Sequence, residues 1–127
     1  MLATTPIITF IPTRDAARSR DFFENTLGLR FLSDDNFALV MDANGIMLRI
    51  VRVGEFTPFP FTILGWEVHD IDTTVTALTA KGVTFARYSF LDQSPLGIWT
   101  APGNVAKVAW FQDPDGNTLS LSQHLTP

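Results

Sequence analysis

The sequence predicts an α+β fold: two tandem βαβββ modules forming a curved mixed sheet around a cleft, with the helices on the convex side. Two observations carry this. The first is an internal repeat. The interval from Ile8 to Ile63 equals that from Asp15 to Asp70, and that from Gly28 to Gly82 is one residue shorter. Strand, capping aspartate and helix-ending glycine therefore recur in the same order in both halves. The second is the closing segment, residues 108–123, where an apolar run meets Asp113-Pro114-Asp115-Gly116-Asn117. Proline presets φ at the second turn position, glycine or asparagine supplies a positive φ, and Asp side chains bond nearby amides. Beyond the turn, Thr118, Ser120 and Ser122 alternate with Leu119 and Leu121, the period of a strand with one apolar and one small polar face.

The elements follow in order. Residues 7–11 are β-branched and aromatic, hence a strand. Asp15 caps a helix that brings Phe22, Phe23, Thr26 and Leu27 to one face, and Gly28 ends it. Strands follow at 29–32, 37–41 and 46–53, with turns at Asp34-Asp35-Asn36 and Asp42-Ala43-Asn44-Gly45. A Pro- and Phe-rich connector, 55–60, leads into a strand at 63–68. Asp70 and Asp72 precede a helix ending at Lys81-Gly82, and residues 83–86 read as another strand. A long segment, 88–104, precedes the final hairpin; its Leu96-Gly97-Ile98-Trp99 core has the composition of a short strand. A segment of that length inside a compact domain is usually functional or a covering lid. At 127 residues the chain is one domain, 1–127, with modules at about 7–53 and 63–123.

Composition excludes several functions. The formal net charge is −4 with no basic cluster, which argues against nucleic acid. There is no cysteine, so disulfides, thiolate metal sites and a cysteine nucleophile are out. No apolar run approaches the length of a membrane span, and no secretory signal is visible, so a cytoplasmic protein is expected. His69 precedes the Asp70 cap and His124 follows Gln123; neither belongs to a nucleophile or metal-ligand pattern.

Arg14-Asp15 leading into Phe22-Phe23 and Leu27-Gly28-Leu29, then Val68-His69-Asp70-Ile71-Asp72, then Asp113-Pro114-Asp115-Gly116-Asn117 fall in an order that resembles the vicinal oxygen chelate superfamily. This is the glyoxalase, bleomycin-resistance protein and dioxygenase family, and the resemblance spans about residues 7–123. It implies a shared fold with many activities. In metal-using members the ligands come from the first and last strands of each half. By register those positions are Ile8, Arg49, Ile63 and Ser120, none a good divalent-metal ligand, so no metal and no cofactor is expected. The resemblance also implies a homodimer.

Taking those four positions as inward, alternation brings Phe10 to the face of Ile8, Met47 to that of Arg49, Glu67 to that of Ile63, and Ser122 to that of Ser120. Arg49 either grips an anionic group of a ligand or pairs internally with Glu67. Trp99 and Trp110 are candidates for an aromatic wall or for ordinary core, while Trp66 points to the helix side. The candidate cleft is thus Ile8, Phe10, Met47, Arg49, Ile63, Glu67, Trp99, Trp110, Ser120 and Ser122, with no catalytic residue assigned. The expected function is binding of a small organic ligand without metal. The alternative is a metal-dependent lyase, isomerase or dioxygenase of the same superfamily.

Overall fold

A computed structural model describes residues 1–125 of the chain; the last two of the expected 1–127 domain, Thr126 and Pro127, lie outside the described residues. The chain divides into two compact units, Met1–Thr57 and Pro58–Pro127, and the boundary falls in the Pro- and Phe-rich connector. Each contains one four-stranded mixed sheet, so the fold is α+β as expected. None of the described helices is long and apolar enough to cross a membrane.

The first unit runs β1 (Ile8–Thr13), α1 (Ala16–Asp21), β2 (Arg30–Asp34), β3 (Ala38–Ala43) and β4 (Ile46–Arg52). The sheet order is β1-β4-β3-β2, with β1 parallel to β4 and the other pairs antiparallel. Asp15 is the N-cap: its carboxylate accepts from the Arg18 amide at 3.2 Å. The helix widens into one π-type turn, Phe22–Thr26, and Gly28 leaves it at φ +80°. One sheet face carries Ile11, Leu39, Met41, Leu48 and Ile50, which are buried together with Phe23 of the π-type turn.

The ends of this sheet are tied by charge. Arg52 donates Nη1 and Nη2 to the two oxygens of Asp34, both at 2.7 Å, bridging β4 to β2 across β3. This two-pronged bond holds the Asp34 carboxyl down at about 2, against an ordinary 3.8.

The second unit runs β5 (Thr62–Glu67), α2 (Ile71–Ala80), β6 (Trp99–Thr100), β7 (Ala106–Gln112) and β8 (Thr118–His124). Its sheet order, β5-β8-β7-β6, has the same pattern: β5 parallel to β8, the rest antiparallel. Asp70 caps α2 by accepting from the Thr73 amide, and that bond holds its carboxyl below the usual range. Ile71 and Val75 are buried where α2 packs on β7 and β8.

Residues 83–86 do not form the expected strand; their place at the edge of β7 is shared. Ala86 donates one backbone bond to Trp110, and β6 pairs further along with Lys107 and Val108. Val83 and Phe85 are buried, so the apolar alternation that suggested a strand reflects core packing without a ladder. His124, which follows Gln123, is the last residue of β8.

The hairpin between β7 and β8 turns on Asp113. Its Oδ1 accepts from the amides of Asp115 (3.0 Å) and Asn117 (2.9 Å), and its Oδ2 from Asn117 Nδ2 (2.9 Å). Gly116, at φ +88°, donates its amide to the Asp113 carbonyl to close the turn. Asp113 is buried, and that burial pushes its pKa up while the three donors favour the charged form.

Two outcomes are expected. D113A orphans these donors in a buried turn and costs about 3 kcal/mol, read as a lower denaturant midpoint at unchanged slope. D34N removes a carboxylate whose folded-state pKa lies below its unfolded value. Its contribution is therefore complete above the ordinary 3.8 and drains away as pH falls toward about 2. The gap in Tm between wild type and D34N should close over that window; a constant gap would refute the assignment.

Candidate functional site

In the first unit, strand pairing sets Ile8 beside Met47, and Phe10 beside Arg49. These four share the face opposite the buried one, as alternation requires. Ile8, Phe10 and Met47 are exposed, Phe10 by 59%. Arg49 does not pair with Glu67. Its Nη2 donates to Asp35 Oδ2 at 2.7 Å, and this bond holds the Asp35 carboxyl below the usual range. Asp35 is fixed in turn by the Phe37 and Ala38 amides, which donate to its Oδ1. Asp35 stands in the turn that joins β2 to β3 of the same sheet, which brings its carboxylate to Arg49.

In the second unit, one face is continuous across three rows. Thr118 lies between Gln112 and Thr62, Ser120 between Trp110 and Gly65, and Ser122 between Val108 and Glu67. Ile63 is not part of it. The register shifts between Thr62 and Leu64, so Ile63 is an unpaired bulge residue and Thr62 takes the row position. Gly65 is required here: a Cβ would sit 3.0 Å from Ser120 Oγ and 3.2 Å from the Ser120 carbonyl oxygen. Glu67 is exposed at the end of its row. Ser122 Oγ and His124 Nε2 are 3.4 Å apart at an exposed position, beyond the reach of an activated nucleophile and its base. The opposite face carries Phe111, Leu119 and Leu121 into the core, with Trp66 stacked 6.4 Å from Phe111 as expected of a helix-side residue.

Trp110 and Trp99 stand on the polar-rowed face and wall a cavity of about 410 Å³. Their rings are 6.0 Å apart, and Tyr88 meets Trp110 edge-on at 5.6 Å. Phe90, 80% exposed, leans on Tyr88 at 5.6 Å, and Phe61, 57% exposed, stacks on Phe59 at 5.0 Å; Phe61 and Phe90 both line the cavity. Pro60 and Leu91 add apolar surface, and Thr62 and Thr118 supply hydroxyls. Among the described residues, no Asp, Glu, His, Lys or Arg lines it. Of the expected cleft residues, Trp99 and Trp110 line this cavity. Ser120, Ser122 and Glu67 continue the same sheet face, and Ile8, Phe10, Met47 and Arg49 stand on the first sheet. Sequence reasoning missed Tyr88 and Phe90; the one signal was two aromatics within a segment too long for a plain connection.

The residues at the family's metal-ligand positions do not fit a metal. The side chains of Ile8 and Ile63 have no donor atom, Ser120 and Thr62, which takes the row position expected of Ile63, offer only neutral hydroxyls, and Arg49 is a cation bonded to Asp35. Among the described residues, no group of three or more His, Asp or Glu side chains could hold a metal ion.

The family model described as Glyoxalase/Bleomycin resistance protein/Dioxygenase superfamily matches residues 6–121. No curated protein matches the sequence. Among solved structures, a glyoxalase family protein from Enterococcus faecalis aligns with a TM-score of 0.73 at 18% identity, covering 96% of this chain and 99% of that one. TnmS3, an antibiotic binding protein from Streptomyces sp. CB03234, aligns with a TM-score of 0.70 at 23% identity, covering 98% and 99%. A superfamily member from Sphaerobacter thermophilus gives 0.70 at 23%, covering 98% and 100%. At these identities the likeness is one of fold.

G65A should cost about 1 kcal/mol by crowding Ser120, and G65A/S120A should recover part of it, because the hydroxyl contact goes and the carbonyl contact stays. Chemical denaturation of the two variants and S120A checks this; strict additivity would show that the contact is relieved elsewhere.

Proposed function

This chain belongs to the Glyoxalase/Bleomycin resistance protein/Dioxygenase superfamily, and from that premise we propose that it binds a small, planar, apolar organic molecule in the aromatic pocket of its second unit, without a metal. The observation that carries this reading is the pocket lining. Three aromatic rings, Tyr88, Trp99 and Trp110, meet edge-on or tilted around a cavity of about 410 Å³. Ligand pockets fall at roughly 300–1,000 Å³ and are typically apolar with a few orienting polar groups. Here the orienting groups are the hydroxyls of Thr62, Tyr88 and Thr118. Aromatic walls favour flat partners because offset stacking and edge contacts add to the burial of apolar surface.

Among the described residues the lining has hydroxyls but no carboxylate, imidazole or amine to activate them, which favours binding over turnover. The description of TnmS3 as an antibiotic binding protein gives a precedent for binding on this fold. The metal-free part of the reading rests on the donor chemistry of Ile8, Arg49 and Ser120 and of Thr62, which takes the row position expected of Ile63.

Nile red, a neutral planar dye, is a suitable probe. Titration should quench tryptophan emission and brighten the dye. W110A should weaken the dissociation constant roughly tenfold or more, whereas W66F, on the core side, should leave it unchanged. Prior treatment with EDTA should not alter the affinity. Equal affinity of W110A and wild type would rule out this pocket, and loss of binding with EDTA would favour the metal-dependent reading.

A further inference from the structure

We propose that Gln93 is the positioning residue of the pocket: its side-chain amide fixes the backbone that carries Tyr88 and Trp99, and so assembles the aromatic wall before any ligand arrives. The proposal deepens the binding reading above and rests on it for the identity of the pocket.

Among the described residues, 87–98 have no strand ladder to hold them, and they pair with a strand through the single bridge between Gln93 and Trp99. Gln93 supplies what the ladder does not. Its Oε1 accepts from the Tyr88 amide at 2.8 Å, and its Nε2 donates to the carbonyls of Ala86 and Gly97, both at 2.9 Å. Two carbonyls face one end of the amide and an N–H faces the other. That arrangement fixes its orientation, since a flip would oppose oxygen to two oxygens and nitrogen to a donor. One side chain thereby joins three points of the loop.

Those points are placed where the wall is. One is the amide of Tyr88 itself, and another is the carbonyl two residues before Trp99. The bridge adds Trp99 directly. With these fixed, Tyr88 stands edge-on to Trp110 at 5.6 Å and Trp99 lies tilted against it at 6.0 Å. The neck of the loop is closed again by Arg87, whose Nη2 donates to the carbonyls of Ser94 and Pro95. Gly97 permits the close fold-back: its φ is +92°, and a Cβ there would lie 3.2 Å from Phe85 Cβ.

The energetic consequence concerns binding. A loop free to move must be ordered when the ligand arrives, and each immobilised residue subtracts from affinity. A loop pinned by Gln93 has met that cost in folding. Removing the pin should weaken binding more than it weakens the fold, because the far end of the loop, at Phe90, is largely exposed.

The test is Q93E, which keeps the side chain's size but cannot donate to Ala86 and Gly97, and places a carboxylate against their carbonyls. Far-ultraviolet circular dichroism and Tm confirm folding. Near-ultraviolet circular dichroism then reads the packing of Tyr88, Trp99 and Trp110 without any ligand, and Nile red titration reads affinity. Expected are a collapse of the near-ultraviolet tryptophan bands and a dissociation constant weakened roughly tenfold, the scale set by losing the two hydrogen bonds that Nε2 donates. Should Q93E not fold, Q93M, neutral and of similar length, carries the same two readouts. A folded variant with the wild-type near-ultraviolet spectrum and wild-type affinity overturns the proposal. If wild-type protein fails to bind Nile red, the binding reading falls instead, and the spectra alone decide the role of Gln93.

Discussion

Asp113 gathers the amides of Asp115 and Asn117 and the side chain of Asn117 onto one buried carboxylate, and the faces of the second sheet follow from that. The turn it closes sets Trp110 opposite Ser120 and Phe111 opposite Leu119. Side chains alternate along a strand, so a slip of one residue would drive Trp110 into the core and turn Phe111 to the pocket. The aromatic wall, the small polar rows beside it and the apolar layer under α2 all depend on this register.

The two units solve the same edge problem differently. In the first, β2 completes the sheet as a full strand, and two arginines tie its end back: Arg52 to Asp34 and Arg49 to Asp35. In the second, the edge of β7 is met by the short β6 and by one bond from Ala86, and the intervening backbone is satisfied by the Gln93 amide. Buried backbone groups need partners, but a ladder is only one way to provide them. Replacing a strand with a side-chain-pinned loop frees residues 88–91 to stand over the sheet, and the cavity forms there.

Much of this was legible in the sequence because it is local. Asp15 and Asp70 announce their caps, Gly28 and Gly82 their helix ends, and the alternation after Asn117 its strand faces. The repeat of these signals gave both units, and the last hairpin gave the face of Trp110 relative to Phe111. What was not legible depends on tertiary partners. The bulge at Ile63 moves Thr62 into the row, and nothing in Thr62-Ile63-Leu64 distinguishes a bulge from a regular strand. Arg49 has several acidic residues within reach of its charge in principle, and only the fold selects Asp35. Residues 83–86 alternate as a strand does because both a strand and an extended core segment bury every second residue. Gln93 carried no signal at all, since a glutamine in a loop is ordinary until three backbone groups converge on it.

The engagement of Arg49 bears on two opposed charge arguments about the proposed ligand. An acidic chain favours a cationic ligand, while an arginine on an open sheet face favours an anion. Nη2 of Arg49 donates to Asp35 at 2.7 Å, so an adjacent carboxylate already offsets the guanidinium charge that an external anion would meet. The cavity of the second unit is lined without a formal charge. Under the proposed binding function, discrimination would come from shape, from ring-on-ring contact and from a few hydroxyls. Such contacts are short-ranged and favour rings held in place beforehand, so the proposed role of the backbone pins around Tyr88 and Trp99 would count alongside that of the rings themselves.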